Sequence, residues 1–289
     1  MELLLHHTFY NEHRVAPEEH AVMCTEKPMN PKANRETMAQ IMFETFRVDS
    51  FYLSLQPVLS MLAQNTRTAV VVDSGYDVTH VVPIYDEYAL PHAVMSVDIG
   101  GNHLTHYMGK LLEESGYAFS IPLTLNTLID LKKKLTYVAL DFQQELSCKS
   151  SSLVREYELP SGQTISVKKE RFQCAEVLFR PELIGKNCEK IPNIVHESIK
   201  KCDDDIQDLF YSNIILAGGN TMVPGFGERM KKEVSELASE EKSVKVASPQ
   251  QGELSTWKGG SVLASKTDMW VTKIEYDECG PGMVHKKCF

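Results

Sequence analysis

Short apolar runs separated by glycine, proline and asparagine turns set the pattern of the chain. Ala69-Val70-Val71-Val72-Asp73 has the length of a buried strand, Ser74-Gly75-Tyr76-Asp77 is a turn, and Val78-Thr79-His80-Val81-Val82-Pro83-Ile84 is a second strand. Together they predict a hairpin with an aspartate at its entrance. Phe51 to Gln56 alternates apolar and polar residues as a strand, and Pro57 ends it or opens a helix. Asn213-Ile214-Ile215-Leu216-Ala217 is a third buried strand, running straight into Gly218-Gly219-Asn220-Thr221-Met222, and Ser243 to Ala247 is another strand.

Helical spacing appears between these runs. Asn30 is placed to cap a helix that opens at Pro31 and turns Met38, Ile41, Met42 and Thr45 to one face. Gly100-Gly101 leads into a helix lined by Leu104, Tyr107, Met108, Leu111 and Leu112. A longer helix is predicted from about Thr124 to Asp141, with Leu128, Leu131, Leu135 and Val138 inward. A further one follows Pro224-Gly225 to about Ala238, and Gly259-Gly260 is read as opening the last. Val15 to Glu19 and Ser150-Ser151-Ser152 read as loops, and Pro160-Ser161-Gly162-Gln163 turns a hairpin. Strands and helices alternate throughout, so the fold class is α/β.

Composition changes this picture little. The chain has 289 residues, 43% hydrophobic and 24% charged, which is ordinary for a globular protein of one large or two smaller domains. No run approaches the ~18 apolar residues of a membrane span, and Met1 to Leu5 lacks the form of a secretory leader. With 30 basic against 39 acidic residues the net charge is −9, so nucleic acid is not an expected partner. Seven irregularly spaced cysteines form no CxxC pair, and reduced thiols are expected.

The candidate chemistry sits in two turns that follow strands, Asp73-Ser74-Gly75 and Gly218-Gly219-Asn220-Thr221. Tight glycine turns bring backbone N–H groups close to phosphate, and an aspartate at a strand end can orient metal-bound water. Alone, each turn is more often a plain hairpin or a packing glycine than a ligand contact.

Longer blocks decide more. His6-His7-Thr8-Phe9-Tyr10-Asn11-Glu12, Arg14 to His20, Asn30 to Glu36, Ile41 to Phe46, Val81 to Tyr85, Tyr88 to Ala93, Tyr137 to Phe142 and Val284 to Phe289 resemble actin, in order and over nearly the whole chain. The resemblance implies the actin-like ATPase fold, a pair of ribonuclease H-like lobes with ATP and Mg or Ca in the cleft between them. It implies catalytic roles for Gln56 and His80, which match the residues orienting the attacking water. Asp73 matches the acid that acts on the metal through water. Ser74, Gly75 and Asp77 fall on the phosphate hairpin. Gly101, Lys132, Lys133, Gly218, Gly219, Met222 and Glu253 fall on the sugar and base pocket.

The same comparison sets the expected organisation. Residues 64–254 form the large lobe, with 64–100 and 187–254 as its subdomain 3 and 101–186 as its subdomain 4. Residues 1–63 with 255–289 form a remnant of subdomain 1. The first phosphate loop, the opening strands of the small lobe and subdomain 2 have no counterpart, so an open sheet edge is expected.

Site departures accompany this. Tyr76 and Asp77 replace an acid and a glycine of the family hairpin, Val223 replaces a tyrosine against the base, and Lys133 and Glu253 exchange the family's signs, as if they faced each other. The segment Ser261 to Trp270, part of the cleft where actin-binding proteins dock, is shortened. The expectation is an actin-like cytoskeletal protein of the cytoplasm that acts through protein contacts, with actin or actin-binding proteins as partners. In that reading nucleotide binding and filament formation are expected to be impaired or absent, with no more than residual ATP hydrolysis. The alternative is a working ATP-binding subunit with slow hydrolysis.

Overall fold

A computed structural model describes residues 1–117, 124–148, 150–249 and 251–288. Its strands are β1 (Ala21–Glu26), β2 (Ser50–Leu55), β3 (Ala69–Ser74), β4 (Thr79–Tyr85), β5 (Tyr88–Ala89), β6 (Met95–Val97), β7 (Arg155–Glu158), β8 (Thr164–Val167), β9 (Ile214–Ala217), β10 (Val246–Ala247) and β11 (Val271–Thr272). They form a three-stranded sheet in the order β1-β2-β11, a larger mixed sheet in the order β10-β9-β3-β4-β5 with β6 also on β4, and the separate β7-β8 hairpin. The fold is mixed α/β.

The predicted hairpin forms as expected. β3 and β4 pair antiparallel from Ala69↔Ile84 to Ser74↔Thr79, and β9 lies parallel to β3 on its other side. Both faces of β3 are buried, which is why its sequence is apolar without alternation. Val70 and Val72 face the largest core, with Leu104, Met108, Ile194, Phe226 and Met230. Ala69 and Val71 face the opposite way with Val82, Ile84, Ile215 and Ala217, against Val58 and Met61 of the helix Gln56–Leu62. A separate core joins Phe43, Phe51, Leu53 and Met42 to Val271, Tyr276 and Cys288, so the two ends of the chain share it.

β1 is an edge strand: it pairs in parallel with β2 and ends the sheet order. On the other side of β2 stands β11, antiparallel. The C-terminal segment is tied to this sheet. Arg35 binds Glu26 at 2.7 Å and donates to the Cys288 carbonyl, while Leu53 N–H donates to Cys288 Sγ at 3.3 Å.

Several local expectations change. The helix Lys32–Gln40 is not capped by Asn30, whose amide donates to Glu26 instead. The helix expected over 124–141 is Leu125–Leu135, capped by Thr124, and Asp141 caps a separate helix, Phe142–Ser147. The chain leaves the helix because Val138 N–H is claimed by the Pro224 carbonyl at 2.8 Å. Ser150–Leu153 is a helical turn rather than a loop. Only Val246 and Ala247 of the expected 243–247 strand are in a ladder. Gly259 and Gly260 lie inside the helix Ser255–Ala264 rather than at its start. An added Cβ on Gly259 would run into the Leu59 carbonyl, so the glycine allows two helices to touch backbone to backbone.

All seven cysteines are free. Cys148 and Cys279 are exposed, Cys24 and Cys188 are half-buried, and Cys174, Cys202 and Cys288 are buried. Among the described residues no helix is long and apolar enough to cross a membrane.

Candidate functional site

Parallel strands end on the same side of a sheet, and the loops leaving that side are where such folds hold ligands. Asp73 of β3 stands beside Ala217 of β9 in parallel register, so Ser74-Gly75 and Gly218-Gly219 emerge side by side. β6 runs antiparallel to β4 and delivers Ile99-Gly100-Gly101 to the same edge. Both glycine turns singled out in the sequence therefore meet.

The contact between them is tight. Gly218 has φ +84°, and an added Cβ would overlap the Ser74 carbonyl and stand 2.7 Å from Asp73 Oδ1. Only glycine fits that conformation and that space. Asn220 fastens the arrangement: its amide donates to Ser74 Oγ at 3.1 Å and to the Gly75 carbonyl at 2.6 Å. Ser74 Oγ in turn lies 2.8 Å from Thr79 Oγ1, which donates to the Ile99 carbonyl.

The hairpin tip packs on the amino end of the helix Gly101–Glu114. Gly101 N–H donates to the Gly75 carbonyl at 3.0 Å and Asn102 N–H to the Tyr76 carbonyl at 2.7 Å. The Tyr76 hydroxyl closes the loop on Asn102 Oδ1 at 3.1 Å. These bonds use donors that a helix start would otherwise offer to an anion. Lys132, from the helix Leu125–Leu135, reaches back to the Gly101 carbonyl at 2.8 Å, and burial holds its ammonium below the usual lysine range.

Asp73 and His80 are register partners and share the face of Val71 and Val82. The helix Gln56–Leu62 covers that face, and Gln56 is its first residue. The three residues thus belong to one layer, at one end. Burial raises the Asp73 carboxyl to about 6, with no cation offsetting it. His80 is pushed below the ordinary imidazole value by burial first and then by the charge of Lys27. Its Nδ1 is buried without a hydrogen-bond partner. Gln56 is not idle, because its amide donates to Thr25 Oγ1 at 3.3 Å.

The remaining expected residues are more scattered. Met222 Sδ accepts from Gly252 N–H at 3.1 Å, which puts Met222 one residue from Glu253. Gly219 opens the turn Gly219–Met222, with open space where a Cβ would be. Asp77 is exposed at the hairpin tip. Lys133 and Glu253 are both exposed, and no ion pair joins them among the described residues, so the exchanged signs do not form a bridge. The sequence names Asn220 only as a member of its glycine turn, with no role, and does not mark Lys27 at all.

The residues present fit one side of a site for a phosphate and a hydrated cation. The fit rests on a half-buried carboxylate without a counterion, an orphan imidazole nitrogen and a glycine cradle. Among the described residues no group of three His, Cys, Asp or Glu side chains could hold a metal ion. A cation here would take most of its oxygen ligands from water and from the phosphates it accompanies.

A second feature is an open groove of about 580 Å³ between the end of the helix Gln56–Leu62 and the segment after Ser255–Ala264. Leu62, Val262, Leu263 and Met269 supply its apolar lining, and Arg67 and Glu87, ion-paired at 2.9 Å, stand at its side. It contains much of the stretch that the sequence marked as a shortened docking cleft.

The family model described as Actin matches residues 1–289, the full length of the sequence, and the chain belongs to the actin family.

Proposed function

We propose that this actin-family chain works chiefly through protein contacts, in a cytoskeletal setting, with nucleotide binding weakened. The observation that carries the reading is the hairpin tip. The exposed Asp77 carboxylate stands where the family hairpin has a glycine beside the terminal phosphate. A carboxylate near a triphosphate repels it, and at an effective dielectric constant of ~20 two unit charges 4 Å apart interact by about 4 kcal/mol. The groove beside Leu263 and Met269 is an apolar surface away from the glycine turns, and its shortened rim favours a partner other than the usual actin-binding proteins.

A second reading, an ATP-binding subunit with slow hydrolysis, is favoured by the Asp73 wall. A carboxyl raised to about 6 by burial alone is poised for a cation. In that case Asp73 would hold Mg or Ca through water, and the cation would screen the phosphate charge. Gln56 and His80 would orient water at the layer's end, and Lys132, Gly218 and Met222 would border the sugar and base.

A thermal unfolding scan with and without Mg-ATP separates the two. Ligand at 100 times its Kd stabilises by about 2.7 kcal/mol. An unchanged midpoint at millimolar Mg-ATP supports the first reading. A midpoint raised in the wild type and unmoved in Asp73→Asn transfers support to the second.

A further inference from the structure

Sheet edges expose rows of unpaired N–H and C=O groups, and folded chains guard them by brevity, charge or cover. Most edges of this chain are guarded in that way. β5, β6, β10 and β11 are two or three residues long. β7 carries Arg155, Glu156 and Glu158 among its four residues. On β8 the Tyr117 hydroxyl donates to the Ser166 carbonyl at 2.7 Å and accepts from the Ser166 N–H at 3.0 Å.

β1 is the exception. It is six residues long, and its side away from β2 pairs with no strand among the described residues. Its one charged residue, Glu26, is buried and neutralised by Arg35 at 2.7 Å. Val22, Met23 and Cys24 at its centre are all half-buried. Met23 lies toward the helix Ser255–Ala264, its sulfur 3.8 Å from a Cβ built on Gly260. Val22 and Cys24 point to the other face, so apolar surface is left uncovered on both sides of the sheet.

We propose that β1 pairs antiparallel with β1 of a second copy of this chain, across a twofold axis at Met23. In such a pair each residue stands opposite its image about the axis residue, so the axis fixes the register. About Met23, Val22 meets Cys24, Ala21 meets Thr25 and His20 meets Glu26 of the second copy. His20 is already extended, at φ −130° and ψ 145°, and prolongs the strand. One step further out Glu19 comes opposite Lys27, twice in each dimer. Both are exposed, and among the described residues neither belongs to an ion pair. An axis at Cys24 would instead set Glu26 against Val22 and Lys27 against Ala21. An axis at Val22 would set Glu26 against Glu18. Of the three registers, the one at Met23 joins opposite charges. It also closes a ladder whichever alternate residues turn their N–H outward: Met23 bonds its own image, or Val22 and Cys24 exchange both bonds. Two three-stranded sheets become one of six, in the order β11-β2-β1-β1-β2-β11, which is a usual sheet size. The inference goes beyond the proposed function and is tested apart from it, because β1 lies in the small sheet and Asp73 in the large one.

The test is sedimentation velocity on the full chain over a dilution series, with hydrogen exchange followed on peptides that cover residues 19–27. The expected result is a reversible equilibrium between 32.6 kDa and twice that mass, with amide protection of residues 21–26 that rises with concentration. Glu19→Lys and Lys27→Glu should each weaken the dimer ~5-fold or more, about 1 kcal/mol at 1.4 kcal/mol per tenfold. The double variant restores opposite charges with exchanged signs and should return to within ~2-fold of wild type, as coupled neighbours do. A constant mass of 32.6 kDa up to ~0.1 mM protein, far above a micromolar Kd, overturns the proposal. Species larger than a dimer, or protection that rises elsewhere and not at residues 21–26, also overturn it. Single variants as tight as wild type, or a double variant that does not recover, overturn the Met23 register and with it the proposal.

Discussion

Asp73 shows how a single side chain can weigh against the fold that carries it. Its carboxyl ionises at about 6 in the folded chain, against 3.8 as the ordinary value. A pKa raised by folding means that the proton binds the native state more tightly than the unfolded one. The resulting stability is complete below pH 4 and is lost as the pH rises through 6. At pH 7 the unpartnered charge therefore destabilises the chain, by about 1–3 kcal/mol at 1.36 kcal/mol per unit. Asp73→Asn removes that charge and keeps the shape. The variant is expected to unfold at a higher urea midpoint than the wild type at pH 7.5, with the gap shrinking toward pH 4. A gap that does not depend on pH would mean that the carboxylate has a partner in solution. The sequence exposed Asp73 because it ends an apolar run beside a glycine turn. It places Asn220 in the Gly-Gly turn but does not reveal what the side chain does there, because its partners Ser74 and Gly75 lie 146 and 145 positions away.

Among whole elements, the helix pair Gln56–Leu62 and Ser255–Ala264 covers the face of the large sheet that carries Asp73 and His80. Ser255 and Thr256 each meet the Ser60 hydroxyl at 3.0 Å, and Gly259 rests on the Leu59 backbone. Alanine in a helix interior is ordinarily better than glycine by about 1 kcal/mol. Gly259→Ala is expected to reverse that sign, because its Cβ must displace backbone, and overpacking of this kind costs about 1–3 kcal/mol. Gly260→Ala is the control, since its Cβ would meet Leu59 Cδ1 at an ordinary 3.6 Å. Chemical denaturation of both variants checks the pair: Gly259→Ala should fall below wild type and Gly260→Ala should not.

The same elements show where sequence reading stops. The β3–β4 hairpin was legible because its apolar runs and its turn are local. The Gly259-Gly260 pair was misread as a helix start because glycine is a poor helix former, while the contact that selects it lies on another helix. The helix from Leu125 was drawn too long because apolar spacing continues through Val138, and only the Pro224 carbonyl reveals that the backbone has turned away.

The whole molecule holds its ends together in one core and most of its middle in another. Cys288 is buried in the first, with Cys24 packed against it, and Cys174 and Cys202 are buried in the second. Burial pushes the Cys24, Cys202 and Cys288 thiols up to about 11 and Cys174 to about 12, so they are poor nucleophiles while folded. A thiol reagent at pH 8 should tag Cys148 and Cys279 at once. In low denaturant Cys24 and Cys288 should follow before Cys174 and Cys202, if the core of the chain ends is the weaker unit. Peptide mapping by mass spectrometry after timed pulses gives the order, and simultaneous tagging of all four would mean a single cooperative unit. Protected sulfur thus gives the chain an internal clock: each alkylated cysteine dates the moment at which its surroundings first parted, with no probe attached beforehand.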